Sequence, residues 1–361
     1  MKKNPTYVMV MALLILLLLI QCIAPTRDMS ELENRVLEQK PELAVKTILN
    51  GDFTSGTEAF VADQFPLRDS FVQLYTTMQR AMRRKAVNNT IIGAEGRYFE
   101  QTDAWSSRNV ILNTDALSAL SSLSGKPVSL LAVPSAAAVY PEYLPANAPI
   151  TDEQKLIAGA KDITVFPLYE ALYGNRSRQL YYHTDHHWTM EGAWLGYATA
   201  CEAFGLNAMP VSNVRTVSGF WGSYYARYPL PGVPGDTLSF CDDPSLTLFV
   251  NGVKKDGLVD ETALAKRDKY AALLYGNHAQ VEIINDAVSD GTLMIIKDSY
   301  ANAILPMLAR HYHRIIAIDP RYYAGDIVEI AAASESEVIL CVYGLSTLAT
   351  GRSIALLEGL Y

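Results

Sequence analysis

Residues 292–302 read Thr-Leu-Met-Ile-Ile-Lys-Asp-Ser-Tyr-Ala-Asn, an apolar run followed by a polar turn. The run predicts a buried strand over Thr292–Lys297, and a helix is predicted to follow over 301–311. The same alternation continues with strand Arg314–Ile318, helix Ile327–Ala333 and a strand over 338–342. Strands that alternate with helices argue for a mostly parallel sheet between layers of helices. An α/β fold is therefore predicted, with Ser299 at a strand-to-helix turn.

The first half of the chain predicts elements of the same kind. They are a helix over 58–85 divided by Pro66, a hairpin over 91–99, a helix over 106–123, strands over Val128–Val133 and 163–166, and a helix over 189–204. Residues 208–260 are rich in Gly, Pro, Ser and Tyr, with a strand-like piece at 247–250. This composition predicts a long loop-rich insertion, an element that often shapes a substrate cleft.

The composition is that of a globular protein. The chain has 361 residues, 50% hydrophobic and 19% charged, so it can bury a sizeable core. Its formal net charge of −8 argues against nucleic acid as a partner and gives no support to broad binding on anionic lipid. The four cysteines are scattered without a CxxC pair, so they indicate neither a zinc site nor a disulfide scaffold. The basic run at 80–85 is interpreted as a solvated helix end.

Residues 1–26 predict a membrane segment. Lys2 and Lys3 precede an uncharged run over 7–24, and about 20 apolar residues suffice to cross a bilayer. Because 22–24 makes a poor cleavage site, an uncleaved transmembrane anchor is preferred to a cleaved signal peptide. The lysines place the N-terminus in the cytoplasm and the rest outside, as a single-pass protein of the cell membrane or, after cleavage, as a secreted one. Residues 27–57 are interpreted as a tether and 58–361 as the α/β domain.

Residues 181–194 hold three of the six histidines around one aspartate. Imidazole suits a general base, and a carboxylate two residues away can fix its tautomer. We assign His187 as the base and Asp185 as its orienting acid. Ser299 follows the carboxyl end of a strand, where ligands bind in open α/β sheets, and completes a nucleophilic relay. His183 and His186 are expected to support the base or contact substrate.

Other interpretations of these residues stay open. Asp298 or Ser299 could serve only as the N-cap of the following helix, and the histidine block could be a polar turn at a helix start. A zinc or manganese site is a further alternative, with four candidate ligands: His183, Asp185, His186 and His187. Adjacent histidines seldom converge on one ion and HExxH is absent, so neither a metal nor a cofactor is predicted.

Five weaker candidates for contacts to substrate or to an oxyanion are Gly222, Tyr225, Arg227, Asn302 and Arg321. Glycine allows close backbone approach, tyrosine and asparagine donate hydrogen bonds, and arginine holds anionic groups.

Residues 184–189, Thr-Asp-His-His-Trp-Thr, match the signature of the bacterial DHHW protein family, which resembles the SGNH-hydrolase-like proteins of alginate O-acetylation. Supporting matches lie at 30–35, 63–69, 92–96, 133–134 and 140–145. The resemblance implies an SGNH-hydrolase-like three-layer α/β/α fold and a triad of Asp185, His187 and Ser299, with the serine last in the chain. Lys297 stands where a Gly-Asp-Ser block would have glycine.

The resemblance also implies a function. It points to an extracytoplasmic O-acyltransferase or acyl esterase that acts on cell-surface polysaccharide. The expected partners are that polysaccharide, the membrane and an acyl donor, for which a membrane acyltransferase is one candidate. The alternative is a non-catalytic protein of the cell envelope that binds or scaffolds polysaccharide. The sequence leaves open the donor, the acceptor and the choice between transfer and hydrolysis.

Overall fold

The computed structural model describes residues 5–352 and 354, except for the side chains of residues 18 and 22. It contains two compact units. The first comprises the chain up to Arg84 together with Ala226–Gly232, and the second comprises Lys85–Tyr225 and the chain from Val233 onward. Residues 58–84, which the sequence analysis assigned to the α/β domain, are thus grouped with the N-terminal unit.

The N-terminal unit is mainly helical. Its elements are α1 (Pro5–Ile23), β1 (Met29–Ser30), β2 (Arg35–Val36), α2 (Val45–Leu49), α3 (Asp52–Asp63) and α4 (Arg68–Ala81). The predicted break at Pro66 lies between α3 and α4. A buried carboxylate holds this unit together, because Asp63 accepts hydrogen bonds from Arg35 at 2.5 and 2.8 Å and from the Glu38 N–H at 2.9 Å.

Within the described part of the chain, no helix combines the length and the apolar character that a membrane crossing requires. The transmembrane anchor predicted in residues 1–26 finds no support there and stays a prediction.

The second unit is an α/β structure. Its strands are β3 (Thr90–Ile92), β4 (Tyr98–Glu100), β5 (Val128–Val133), β6 (Thr164–Val165), β7 (Val214–Phe220), β8 (Asp236–Cys241), β9 (Leu246–Val250), β10 (Val253–Lys254), β11 (Gln280–Asn285), β12 (Thr292–Lys297), β13 (Arg314–Ile318) and β14 (Ile339–Gly344). The remaining helices are α5 (Ser107–Ser124), α6 (Ala136–Val139), α7 (Glu153–Ile157), α8 (Leu168–Gly174), α9 (Met190–Ala203), α10 (Ser223–Arg227, whose last two residues are grouped with the first unit), α11 (Glu261–Leu264), α12 (Leu305–Leu308), α13 (Ile327–Ala333) and α14 (Leu345–Thr350).

Eight strands form the central sheet in the order β10-β9-β11-β13-β12-β14-β5-β6. The strands from β13 to β6 run parallel, whereas β11 pairs antiparallel with both β13 and β9. The predicted α/β class and mostly parallel sheet are thus confirmed. The stretch predicted to be loop-rich, 208–260, contributes β9 and β10 to this sheet, and its β7 and β8 form a separate antiparallel pair.

Both faces of the sheet are buried. Successive residues of a strand point to opposite sides, so Leu293 and Ile295 pack in one core while Met294 and Ile296 pack in the other. Residues of α9 and α12 belong to the first core, and residues of α5, α13 and α14 belong to the second. A strand that is buried on both faces needs apolar residues at every position, which explains the unbroken run at 293–296. The layers are α/β/α.

The helix predicted over 301–311 is shorter than expected. A 3-10 turn, Ser299–Ala303, precedes the four-residue helix α12. Pro306 has no N–H to donate and fits only the first turn of a helix, so the α-helix begins next to it and not at residue 301.

Asp298 fixes the end of β12. Its carboxylate accepts hydrogen bonds from the Tyr300 N–H at 3.0 Å, the Gly344 N–H at 2.8 Å and the Thr347 hydroxyl at 2.7 Å. Gly344 ends β14, which lies beside β12 in the sheet. Asp298 is therefore the cap of the 3-10 turn, and it holds Ser299 at the carboxyl edge of the sheet.

Replacing a residue in the centre of this sheet tests the two-sided core. Ile295→Ala should lower the free energy of unfolding by about 2–5 kcal/mol, because Ile295 is fully buried and its truncation leaves a cavity. The matched control is Val253→Ala on the exposed strand β10, which should change stability by less than about 0.5 kcal/mol. Urea denaturation followed by circular dichroism measures both. Equal losses would contradict the placement of Ile295 in the core.

Candidate active site

Asp185, His187 and Ser299 form one hydrogen-bonded chain. The Nε2 atom of His187 lies 2.8 Å from the Ser299 Oγ, and its Nδ1 atom lies 2.5 Å from Asp185 Oδ1. The histidine and the serine are 112 positions apart in the sequence. Asp185 and His187 are buried, whereas Ser299 is partly exposed. The geometry thus presents one reachable hydroxyl, backed by a buried imidazole and a buried carboxylate.

A tight loop presents the acid and the base. Tyr181 and Trp188 pair across its ends, and the Tyr182 N–H donates to the His187 carbonyl at 3.2 Å. Within the loop, the His187 N–H donates to Asp185 Oδ1 at 2.9 Å, a local turn that aspartate side chains favour. The two side chains are therefore neighbours because of local backbone geometry.

Asp236, which the sequence analysis missed, anchors this loop. Its buried carboxylate accepts hydrogen bonds from the His183 N–H at 2.9 Å, the Thr184 N–H at 2.8 Å and the Thr184 hydroxyl at 2.7 Å. Three hydrogen bonds to one carboxylate fix the residues that enter the loop. The only sequence signal is an acidic residue after a Gly-Val-Pro-Gly turn, which is too common to identify such a role.

Gly222 makes room for Asp185. A Cβ atom at this position would lie 2.1 Å from Asp185 Oδ2 and 2.2 Å from Asp185 Cβ. The Gly222 N–H donates to the Thr184 hydroxyl at 3.2 Å, and the following N–H, of Ser223, donates to Asp185 Oδ2 at 2.7 Å. The structure therefore gives Gly222 a packing role in place of the predicted oxyanion role, because its N–H is already used by the loop.

Aromatic side chains enclose the ring of His187. Tyr270 stacks on it, with ring centroids 3.6 Å apart and an angle of 9° between the planes. The Tyr270 hydroxyl donates to the Ser299 carbonyl at 3.2 Å, so this tyrosine contacts two members of the relay. The ring of His186 also lies against His187, with centroids 3.7 Å apart, and the Tyr300 hydroxyl donates to the His186 carbonyl at 2.7 Å. Tyr270 lies outside both sequence motifs, and no spacing pattern could have identified it.

The surroundings set the charge state of the relay. Burial lowers the pKa of His187 to about 4, with His186 acting in the same direction and Asp185 opposing it. Burial by itself would raise the pKa of Asp185, but the two histidine rings outweigh it and hold that pKa well below its usual value. At neutral pH the acid is ionised and the His187 ring is neutral. A neutral ring whose Nδ1–H donates to Asp185 has its Nε2 free to accept the proton of Ser299.

Asn302 is engaged with Lys297. The Lys297 Nζ donates to Asn302 Oδ1 at 2.8 Å, and the Asn302 amide donates to the Gly276 carbonyl at 3.3 Å. Both side chains are buried. Asn302 therefore holds the lysine and is not aimed at an oxyanion, in contrast to the prediction.

Lys297 replaces the expected glycine without strain in the backbone. It is not among the residues with positive φ, so the turn before Ser299 does not need glycine at this position. Burial lowers the pKa of Lys297 to about 8, and the charges of Asp319 and Asp298 oppose that shift. The lysine is therefore mainly charged at neutral pH.

The two candidate arginines differ in position. Arg321 follows β13 and forms a double hydrogen bond with the buried Asp319, at 2.9 Å from Nε and 2.6 Å from Nη2. Its charge acts, weakly, in the direction that lowers the pKa of His187. Arg227 is exposed and belongs to the N-terminal unit.

Tyr225 contacts the loop through its backbone. Its N–H donates to the Thr184 carbonyl at 3.0 Å, and the Arg267 guanidinium lies 5.0 Å from the centre of its ring. The buried Tyr225 thus supports the loop that carries Asp185 and His187.

Three of the four candidate metal ligands lie together, and the fourth does not join them. Asp185, His186 and His187 are the one group of potential ligands found among the described residues, with ligand atoms within 4.8 Å of one another, and His183 is outside it. The His186 Nδ1 is hydrogen-bonded to the Ser223 hydroxyl at 2.6 Å. Asp185 is bonded to His187 Nδ1, so an ion here would have to displace the hydrogen bonds of the relay.

A methyl group at Gly222 tests the packing against Asp185. Gly222→Ala should lower the free energy of unfolding by about 1–3 kcal/mol, because the added Cβ overlaps the carboxylate. It should also shift the proton resonance of the His187 Nδ1–H. Gly174→Ala is the matched control, with nothing within 4 Å of its added Cβ, and it should be neutral or stabilising by up to about 1 kcal/mol. Thermal unfolding and proton NMR measure both effects. An unchanged resonance in Gly222→Ala would contradict the close contact.

Comparisons with known proteins bear on the fold and the family. A family model described as DHHW protein matches residues 159–318. Among solved structures, the chain is similar to a DHHW family protein from Eubacterium siraeum DSM 15702, at 19% identity and a TM-score of 0.60, over 75% of this chain and 95% of that one. It is similar to PatB1 of Bacillus cereus, solved with a sulfonyl adduct, at 20% identity and a TM-score of 0.61, over 74% of this chain and 99% of that one.

A third similarity is to the O-acetyltransferase domain of AlgJ from Pseudomonas putida, at 16% identity and a TM-score of 0.46, over 73% of this chain and 93% of that one. No curated protein matches the chain in sequence. The resemblance to the DHHW family predicted from the sequence is confirmed by the match over residues 159–318, the part of the chain that contains Asp185, His187 and Ser299.

Proposed function

We propose that this protein is an O-acyltransferase or acyl esterase that acts on cell-surface polysaccharide through an acyl-serine intermediate. The hydrogen-bonded relay from Asp185 through His187 to Ser299 carries the proposal, since its reachable member is the nucleophile. Three groups of this kind are what a weak hydroxyl needs in order to attack an ester.

Acylation begins with the serine. The Ser299 Oγ attacks the carbonyl carbon of an acyl ester while its proton passes to the His187 Nε2, 2.8 Å away. The resulting imidazolium is stabilised by the ionised Asp185, to which its Nδ1–H donates. When the tetrahedral intermediate collapses, Nε2 returns the proton to the leaving alcohol oxygen. The products are an acyl-serine and a free alcohol.

The oxyanion of the tetrahedral intermediate needs a hydrogen-bond donor to stabilise it. Ser299 is the first residue of a 3-10 turn, and the first N–H groups of a helical turn have no partner within it. The Ser299 N–H is therefore our candidate oxyanion donor, because the Gly222 N–H and the Asn302 amide are engaged elsewhere. One such donor typically contributes about 3–4 kcal/mol to catalysis.

Deacylation repeats the steps with a new nucleophile. A water molecule or a sugar hydroxyl gives its proton to the His187 Nε2 and attacks the acyl-serine, and the proton then returns to the Ser299 Oγ. Water gives hydrolysis, and a sugar hydroxyl gives transfer. The relay acts on both in the same way, so the acceptor that occupies the site decides between them.

The location and the partners belong to the same proposal. We place the chemistry outside the cytoplasmic membrane, on a single-pass or a secreted protein, because Lys2 and Lys3 precede the uncharged run 7–24. Polysaccharide as acceptor, and an acyl donor supplied at the membrane, are what the family resemblance implies. A serine that reacts with sulfonyl reagents would agree with the sulfonyl adduct named for PatB1 of Bacillus cereus.

Substitution of the relay tests covalent turnover. Ser299→Ala and His187→Ala should each lower kcat/KM for hydrolysis of a small acetyl ester by at least about 10³-fold. A sulfonyl fluoride should add one sulfonyl group to the peptide that contains Ser299, detected by mass spectrometry, and should not modify Ser299→Ala. Ser218→Ala, an exposed serine of β7, is the matched control and should keep full activity.

Other outcomes would count against the relay. Equal activity in the parent protein and its three variants would rule out the relay. A complete absence of ester hydrolysis and of labelling would favour a non-catalytic polysaccharide-binding protein. Loss of activity in a chelator would favour a metal at Asp185, His186 and His187.

The pH dependence tests the charge state of His187. Because the base form is needed and burial lowers its pKa to about 4, kcat/KM should stay constant on acidification past 6.5, the ordinary histidine value, and fall near pH 4. His186→Gln should move this inflection upward, because His186 lowers the pKa of His187. Ester hydrolysis at saturating and limiting substrate measures the profile. An inflection at or above 6.5 in the parent protein would contradict the neutral buried base.

A further inference from the structure

Two histidine rings lie beside the one buried carboxylate of Asp185. The Nδ1 atom of His187 is 2.5 Å from Asp185 Oδ1, whereas the Nδ1 atom of His186 is 3.6 Å from Asp185 Oδ2. The two rings contact each other, with centroids 3.7 Å apart. Each ring presents its Nδ1 atom to the same carboxylate, so His186 is a potential competitor of His187 for it.

Asp185 can accept a further hydrogen bond. Its Oδ1 accepts from the His187 N–H at 2.9 Å and from the His187 Nδ1 at 2.5 Å, and its Oδ2 accepts from the Ser223 N–H at 2.7 Å. A carboxylate has about four acceptor positions, so one position on Oδ2 is left for another donor. The His186 side chain is 27% exposed, against 6% for His187, and its ring is therefore the less confined of the two.

Ser223 lies against both groups that could bond to each other. Its N–H donates to Asp185 Oδ2, and its Oγ lies 2.6 Å from His186 Nδ1. A carboxylate is a stronger acceptor than a hydroxyl, so a His186 ring with a hydrogen on Nδ1 would turn towards Asp185. The structure instead places Nδ1 against the hydroxyl. This is the arrangement expected of a ring nitrogen that accepts a hydrogen bond from Ser223.

The competition concerns side chains alone, because the backbone on both sides is fixed. The Tyr300 hydroxyl donates to the His186 carbonyl at 2.7 Å. Gly222, directly before Ser223, is packed so closely on Asp185 that a Cβ atom there would lie 2.1 Å from Oδ2. A rotation of the His186 ring is therefore enough to bring its Nδ1 to Oδ2, and one hydroxyl is enough to prevent it.

We propose that Ser223 is a positioning residue that reserves Asp185 for His187. Its hydroxyl donates to His186 Nδ1 and thereby keeps the ring hydrogen of His186 on Nε2, away from the carboxylate. A fourth donor on Asp185 would share its negative charge and weaken its support of the His187 imidazolium. This inference rests on the proposed function, since the arrangement matters when Ser299 gives its proton to His187.

Nitrogen NMR of the imidazole rings tests the proposal in the full chain. In the parent protein, the resonance of His186 Nδ1 should lie in the range of an unprotonated nitrogen. In Ser223→Ala it should move to the range of a protonated one, and the proton on His187 Nδ1 should move to higher field because its bond to Asp185 weakens. His186→Phe removes one set of ring signals and so assigns them. A protonated His186 Nδ1 in the parent, or an unprotonated one in Ser223→Ala, would overturn the proposal.

Ester hydrolysis gives a second readout, which a serine with a purely structural role would not change in the same way. Ser223→Ala should lower kcat about tenfold and change KM by less than about twofold. In a His186→Phe background the same substitution should lower kcat by less than about twofold, because phenylalanine has no donor for Asp185. Equal losses in the two backgrounds would show that Ser223 acts by packing and would overturn the proposal.

The two readouts separate this inference from the proposed function. If the parent protein hydrolyses no ester and Ser299 is not labelled, the proposed function fails, and the ring resonances still decide whether Ser223 keeps His186 off Asp185. Ser218→Ala, at an exposed serine of β7, is the matched control and should change neither the resonances nor kcat.

Discussion

The carboxylate of Asp185 is the charge around which the site is arranged. It is buried and accepts hydrogen bonds from the His187 N–H, the His187 Nδ1 and the Ser223 N–H. A buried charge that lacks such partners costs several kcal/mol, so the donors have to be in place when the site forms. This requirement explains the glycine at 222, because a side chain there would occupy the space of the carboxylate. The loop and residues 222–223 are therefore one structural unit.

Ser299 is positioned by a different part of the structure, the edge of the central sheet. Its position depends on the end of β12, where Asp298 ties the turn to the neighbouring strand β14. Tyr270 links the loop that carries His187 to the turn that carries Ser299, since its ring stacks on His187 and its hydroxyl donates to the Ser299 carbonyl. A shift of the sheet edge relative to the loop would break both contacts of this tyrosine. The distance between Ser299 and His187 is thus supported by packing as well as by its own hydrogen bond.

The parts of the fold and of the site that could be predicted are those set by residues close together in the sequence. The strand Thr292–Lys297 has the predicted bounds because its apolar run is continuous, and Asp185 and His187 were paired because they are two residues apart. Asp236 reaches the loop from 52 positions away, and the contact of Tyr270 with Ser299 spans 29 positions. Contacts of that kind depend on tertiary structure and leave no spacing pattern in the sequence. Composition could not reveal that part of 208–260 extends the sheet, because strand pairing depends on the partner strand β11.

Lys297 illustrates how a departure from a family pattern can be accommodated. Glycine is required where φ is positive, and the backbone at 297 is not in that region. A buried ammonium group is unfavourable unless other groups compensate for it, and here Asn302 accepts its hydrogen bond while Asp298 and Asp319 supply negative charge. Arg321 is the second cation, held by Asp319. Two cations and two anions therefore lie at the ends of β12 and β13, and with the lysine included their charges sum to zero. The turn can keep its serine in place although the glycine is absent.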